Sequence, residues 1–283
     1  MKPSRNEPSR PLIVFSHANG FPAGSYRMLF EQWRAAGYEV HAIEKFGHDP
    51  RFPVSSNWPH LRDQLAQFVE AHRASRQAHL VGHSLGGFLS LLVACRRPEL
   101  AASVVLIDSP LLAGWRAQVV RVGKATGLIG RYSPAKVSHR RRNEWDNLDA
   151  ARAHFSGKSL FARFHPEVLQ DYLRAGLEVH AGRARLSFSR EVETRLYNTL
   201  PHHLGALLRR HPPRCPVAYI GGTQSPEGRM AGLATVRRLC GPRIGWVEGS
   251  HLVPFEKPID TARAVLQWLP PALSTFEITG TAT

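Results

Sequence analysis

The chain has 283 residues, 43% hydrophobic and 21% charged, which excludes a disordered or low-complexity protein and is long enough to bury a core without disulfides or a structural metal. Lys and Arg number 37 against 22 Asp and Glu, a formal net charge of +15, so nucleic acid, an anionic membrane and an acidic substrate all need testing as partners. Only six of those cations are lysines and the arginines are scattered, with one dense run at Arg140, Arg141 and Arg142; no helix-turn-helix, zinc-finger or RNP pattern accompanies them, and no nucleic-acid partner is expected.

The N-terminal stretch MKPSRNEPSRP is polar and lacks the apolar segment of a secretory signal. Leu12-Ile13-Val14-Phe15, bounded by Pro11 and Gly20, predicts a buried strand. A helix over 25–36 follows, stopped at Gly37, then a strand over 38–43. Trp58, Leu61, Leu65, Phe68 and Val69 recur at helical spacing over 58–75. The strand AHLVG at 78–82 runs directly into the apolar helix HSLGGFLSLLVACRR, ended by Pro98, and SVVLI at 103–107 is the next strand. From Pro110 to Pro213 there are helical patches and turns but no convincing buried strand. Alternation resumes with a strand at 217–220, a helix near 227–240, a strand at 243–247 and a helix near 258–269. Strands alternating with helices imply parallel βαβ units and a sheet covered on both faces. The tail 271–283 reads as poorly ordered. Three cysteines without a C-x-x-C pair argue against a disulfide framework or zinc ribbon, and no run of about 18 apolar residues is present to span a bilayer. A cytoplasmic protein with no integral membrane association, no cofactor and no metal is expected.

Gly82-His83-Ser84-Leu85-Gly86 is a G-x-S-x-G, with Gly87 after it. It sits between an apolar strand and an apolar helix, where a nucleophile elbow must sit. The serine occupies a sharp, strained strand-to-helix turn, the glycines leave room where the chain packs closest, and the hydroxyl is held at a helix N-terminus.

Three separated segments together resemble the α/β-hydrolase fold superfamily of serine hydrolases. They are Ser16-His17-Ala18-Asn19-Gly20-Phe21-Pro22, the GHSLGG elbow, and Gly249-Ser250-His251 leading through Glu256-Lys257-Pro258 into a final helix. They frame residues 12–269. The resemblance implies a mostly parallel sheet of about six strands flanked by helices, with an α/β core at 1–109 and 213–270 and a helical cap at 110–212. It implies Ser84 as nucleophile and His251 as its base, since a free hydroxyl is a weak nucleophile near neutral pH. His83 is read as packing or support, His17 as ordering the first loop, and His202, His203 and His211 as solvated. The oxyanion hole is assigned to the amides of Leu85 and Asn19, with a register slip to Gly20 left open because Ala18 and Asn19 depart from the commoner histidine-glycine pattern.

The acid departs further from the family pattern. Its common place, about three residues past a glycine after the penultimate strand, holds Ser225. A second location used by some relatives, the end of the strand after the elbow helix, holds Asp108, 24 residues beyond Ser84. Asp108 is the expected acid. Glu227, or no acid at all, remains the alternative. Residues 110–212 carry Trp115, Trp145, Phe155, Phe161, Phe164 and Tyr172, which should mostly pack that segment's own helices, with a few lining an acyl pocket above Ser84. The Arg140–Arg142 run reads as a solvated face, with recognition of a substrate carboxylate or phosphate as the alternative. The expected function is hydrolysis of a small-molecule carboxylic ester through an acyl-enzyme; thioester, lactone or carbon–carbon bond cleavage would use the same residues. A non-catalytic binding protein on the same fold is the reading from another class. Oligomeric state is left open.

Overall fold

The computed structural model describes residues 10–112, 114–127, 135–230 and 233–271. The predicted tail falls outside the described residues from position 272 onward. Six strands form the central sheet: β1 (Leu12–Ser16), β2 (Glu39–Ala42), β3 (Ala78–His83), β4 (Ala101–Ile107), β8 (Val217–Gly222) and β9 (Ile244–Val247). Every pairing is parallel, in the order β2-β1-β3-β4-β8-β9. β1 and β3 are buried at every position, as strands covered on both faces must be. The chain steps outward from β1 to β2 and then returns to the other side of β1 as β3. The order therefore reverses at the carboxyl ends of β1 and β3, where ligand crevices form in open parallel sheets.

Helices cover both faces. Pro59–His72 and Leu85–Arg96 pack with alternate residues of the sheet, among them Leu12, Val14, Leu80 and Val104, into one apolar cluster. Arg27–Ala35 and Pro258–Leu266 cover Ile13, Phe15, Val81 and Val105 on the other face. Leu85–Arg96 is buried from Leu85 to Cys95, which explains why its sequence is apolar all round. The predicted helix near 227–240 is two helices, Pro226–Met230 and Leu233–Cys240.

The stretch 110–212 is richer than expected. Beside its helices it holds a small antiparallel sheet of β5 (Glu144–Trp145), β6 (Leu177–His180) and β7 (Arg183–Leu186), in the order β5-β7-β6. The hairpin between β6 and β7 turns on Ala181 and Gly182, at φ 48° and 79°, the left-handed pair that a two-residue hairpin needs. In β7, Ala184 and Leu186 are buried while Arg183 and Arg185 face out. This sheet shows one face to water, so it carries no continuous apolar run by which a buried strand is recognised. Trp145, Phe155, Phe161 and Tyr172 join Phe15, Tyr26 and Phe255 in one apolar cluster, and Phe188, Leu196 and Leu204 join the other. The stretch thus shares both cores of the sheet.

Candidate active site

Ser84 lies between the end of β3 and the helix Leu85–Arg96, at φ 53° and ψ −114°. A side chain held at positive φ is strained, and such strain persists only where the surroundings over-determine it. Here the glycines do so: a Cβ on Gly82 would run into Gly86, and one on Gly86 into the backbone of Ser16. Only this spacing lets the elbow pack against β1. The Ser84 amide is tied across to the carbonyl of Ile107 at 2.9 Å, leaving the hydroxyl free to project over the sheet.

His251 approaches from the loop after β9. Its Nε2 is 3.0 Å from Ser84 Oγ, and its Nδ1 is 2.6 Å from Asp108 Oδ2. Asp108 sits just past the end of β4, fully buried, at φ 41°. Its Oδ1 accepts the Gly222 amide at 3.1 Å and the Tyr219 hydroxyl at 3.3 Å, and its Oδ2 accepts the Ser225 hydroxyl at 2.5 Å. Burial opposes its charge, but His251, Ser225 and the Gly222 amide outweigh that and hold the carboxyl below the usual aspartate range. Ser225, in the place where the family resemblance expects an acid, thus donates to the carboxylate of Asp108. Glu227 also comes close: its carboxylate, that of Asp108 and the His251 ring have atoms within 4.8 Å of one another. Glu227 accepts a long hydrogen bond, 3.4 Å, from Ser225.

The loop after β1 closes as a turn, with the Phe21 amide donating to the Ala18 carbonyl at 3.2 Å and Gly20 at φ 81°, the conformation that calls for glycine at the third turn position. The Ala18 amide is engaged by the Tyr26 hydroxyl at 3.1 Å. The Asn19 and Gly20 amides lie between these two engaged ones. Leu85 contributes an N–H at the first position of its helix, where no intrahelical acceptor exists. His17 is fully buried; its Nδ1 contacts the Ala18 carbonyl at 2.8 Å and its Nε2 accepts the Phe46 amide at 2.8 Å. Burial lowers its pKa to about 4, so it is a neutral brace near neutral pH.

Above Ser84 opens a cavity of about 560 Å³, lined among others by Phe21, Tyr172, Tyr197, Leu252 and Arg141. The arginine run divides. Arg140 is exposed, and Arg142 lies over the Trp145 ring at 5.7 Å. Arg141 turns inward to Glu193 Oε2 at 2.6 Å and to the Tyr172 hydroxyl at 3.1 Å. The run is therefore not one solvated face: the helix Ala135–Arg140 ends just before Arg141, and the three side chains part where the chain bends. His202 and His203 are half-buried rather than solvated, and only His211 is exposed. Of the six aromatics singled out in the sequence, all but Trp115 are buried.

Several site residues carried no sequence signal. Tyr26 and Tyr219 look like ordinary core aromatics. Glu193 contacts the loop after β1, accepting at its carbonyl from Asn19 Nδ2 at 3.0 Å, from far along the chain. Glu256 accepts from the Ser250 amide and hydroxyl at 2.8 and 2.7 Å and so shapes the His251 loop; its place in the Glu256-Lys257-Pro258 turn was the available clue.

This sheet order, with a serine elbow at the reversal point and a histidine loop after the last strand, is the α/β-hydrolase fold. Residues 13–264 match the model of the Alpha/beta hydrolase family, and the chain belongs to that family. It is 32% identical over 110 residues to monoglyceride lipase of Mus musculus, a stretch covering 37% of this chain and 36% of that protein. It is 27% identical over 210 residues to monoacylglycerol lipase of Mycolicibacterium smegmatis, covering 70% of this chain and 66% of that one. The match to the mouse enzyme thus spans about a third of its length. Among solved structures, E-2-(acetamidomethylene)succinate hydrolase superposes with a TM-score of 0.70 at 22% identity, covering 91% of each chain. The thioesterase domain from the curacin biosynthetic pathway superposes with a TM-score of 0.70 at 18% identity, covering 92% of each. Among the described residues no helix is long and apolar enough to cross a membrane.

Proposed function

We propose that the protein hydrolyses a small-molecule carboxylic ester through Ser84, His251 and Asp108. The observation that carries this reading is the unbroken contact chain from Ser84 Oγ to His251 Nε2 at 3.0 Å and from His251 Nδ1 to Asp108 Oδ2 at 2.6 Å. Ser84 Oγ attacks the ester carbonyl while His251 Nε2 takes its proton. Asp108 holds Nδ1–H, so the ring stays oriented and its positive charge is balanced as it forms. The Leu85 and Asn19 amides receive the charge that develops on the carbonyl oxygen. His251 then protonates the leaving alcohol, and water repeats the sequence on the acyl-enzyme. Residues 110–212 serve as the cap, roofing the cavity over Ser84. The names of the mouse and mycobacterial relatives, both lipases of glycerol monoesters, favour an ester substrate.

The test uses p-nitrophenyl esters of graded chain length with a fluorophosphonate probe. The wild-type protein should turn over an ester and carry the label on Ser84. Ser84→Ala should lose the label and about six orders of magnitude in kcat, the loss seen when a serine nucleophile is removed. A folded wild-type protein that neither labels nor hydrolyses any ester of the series would instead be a binding protein on this fold.

A further inference from the structure

Three loops carry the reacting groups, and one buried chain of hydrogen bonds joins them. The Ala18 amide lies 3.1 Å from the Tyr26 hydroxyl, that hydroxyl 2.8 Å from His83 Nδ1, and His83 Nε2 2.9 Å from the carbonyl oxygen of His251. Tyr26 and His83 are buried, at 1% and 0% exposure, so water does not supply alternatives. Ala18 precedes Asn19 in the oxyanion loop, His83 precedes Ser84 in the elbow, and the last acceptor belongs to His251 itself.

Every proton in this chain is assigned by its two ends. The Ala18 amide can only donate, so the Tyr26 oxygen accepts from it. The His251 carbonyl can only accept, so His83 Nε2 must carry a hydrogen; a bare Nε2 at that distance would set two acceptors against each other. Burial, aided by the nearby His251 ring, lowers the pKa of His83 to about 3 and keeps it neutral. A neutral ring with hydrogen on Nε2 has a bare Nδ1. Nδ1 therefore accepts from Tyr26 O–H, and all four groups are satisfied in one direction. Packing fixes the rings: Tyr26 and His83 both lie against Phe255, with centroids at 4.7 and 5.9 Å.

We propose that Tyr26 and His83 form a positioning strut that sets the oxyanion loop and the backbone of His251 in register about Ser84. Neither touches substrate. The proposal rests on the esterase reading, because its kinetic consequence needs turnover at Ser84. A histidine immediately before the nucleophile is explained by it: from that position alone one ring reaches both neighbouring loops with opposite hydrogen-bonding roles. Losing the strut lets the two loops drift, and a displacement of about 1 Å at a reacting group costs on the order of 100-fold in rate.

Tyr26→Phe keeps the ring and removes one hydroxyl. With kcat normalised to the fraction of Ser84 titrated by fluorophosphonate, it should fall by about 100-fold while KM changes by less than about threefold, a split that general loosening of the fold does not give. His83→Gln should fall by a similar factor, and the double variant no further than the larger single one, because both break one chain. Nitrogen NMR of the wild-type ring should show His83 protonated at Nε2 and bare at Nδ1. A folded Tyr26→Phe protein with kcat within about threefold of wild type, or fully additive losses in the double variant, overturns the strut. So does hydrogen on Nδ1, and this readout stands even where Tyr26→Phe does not fold. If the wild-type protein itself neither labels nor hydrolyses, the esterase reading fails, and the NMR result still decides whether the chain of hydrogen bonds exists.

Discussion

The six-stranded sheet and the stretch at 110–212 are held by different physics. Inside the sheet, contacts are almost wholly apolar: Ile13, Val14, Leu80, Val81 and Val104 are fully buried, and parallel pairing satisfies their backbones. The 110–212 stretch meets the rest of the chain through apolar side chains, many of them aromatic, and also through charge. Arg27 reaches Asp171 at 2.9 Å and Glu167 at 3.0 Å, Lys45 reaches Glu178 at 3.2 Å, and Arg163 reaches Glu256 at 3.0 Å. Arg27, Lys45 and Arg163 thus pair with acids across the contact between this stretch and the rest of the chain. The contrast teaches that the two regions should fail under different insults.

Leu80→Ala attacks the sheet. It removes apolar volume where nothing can collapse, and should cost about 3 kcal/mol in urea denaturation, equally at low and high salt. Asp171→Asn attacks the docking. Asp171 is buried and takes a bifurcated hydrogen bond from Arg27 Nε–H and another from Arg174, so its loss should cost about 2 kcal/mol. The damage should appear first as faster hydrogen exchange in 166–176, with β3 and β4 still protected. If β3 exchanges equally fast, the two regions are one cooperative unit and the contrast fails.

Acid supplies the third comparison. Burial lowers the pKa of His79, on β3, from 6.5 to about 4. The unfolded chain therefore binds a proton that the folded chain refuses between those values, and stability is present above about pH 6.5 and lost as pH falls toward 4. His79→Gln should remove about 2 kcal/mol of that acid-dependent loss, seen as a flatter fall in stability between pH 7 and 4.5. An unchanged slope would mean that His79 is protonated in the folded protein.

Much of this was legible because it is local. Apolar runs marked the six strands, and their alternation with helices marked the parallel sheet. The spacing around Ser84 marked the elbow, since glycine two before and two after answers a steric demand of the turn itself. What stayed hidden was non-local. The small sheet of β5, β6 and β7 shows one face to water and begins with a two-residue strand. Glu193 reaches the loop after β1 only through the tertiary fold. Arg141 could not be told from Arg140 and Arg142, because a run of three like residues does not reveal which one turns inward. Asp108 was legible from its place at the end of the strand after the elbow helix, together with the serine at position 225; that Ser225 bonds to Asp108 was not.

The central claim, that Asp108 is the acid that orients His251, is tested most directly by kcat/KM of Asp108→Asn and Glu227→Gln on one p-nitrophenyl ester. Asp108→Asn should lose about four orders of magnitude. Glu227→Gln should stay within about tenfold of wild type, since both ring nitrogens of His251 are engaged by Asp108 and Ser84. Near-full activity in Asp108→Asn, with a collapse in Glu227→Gln, would contradict the account.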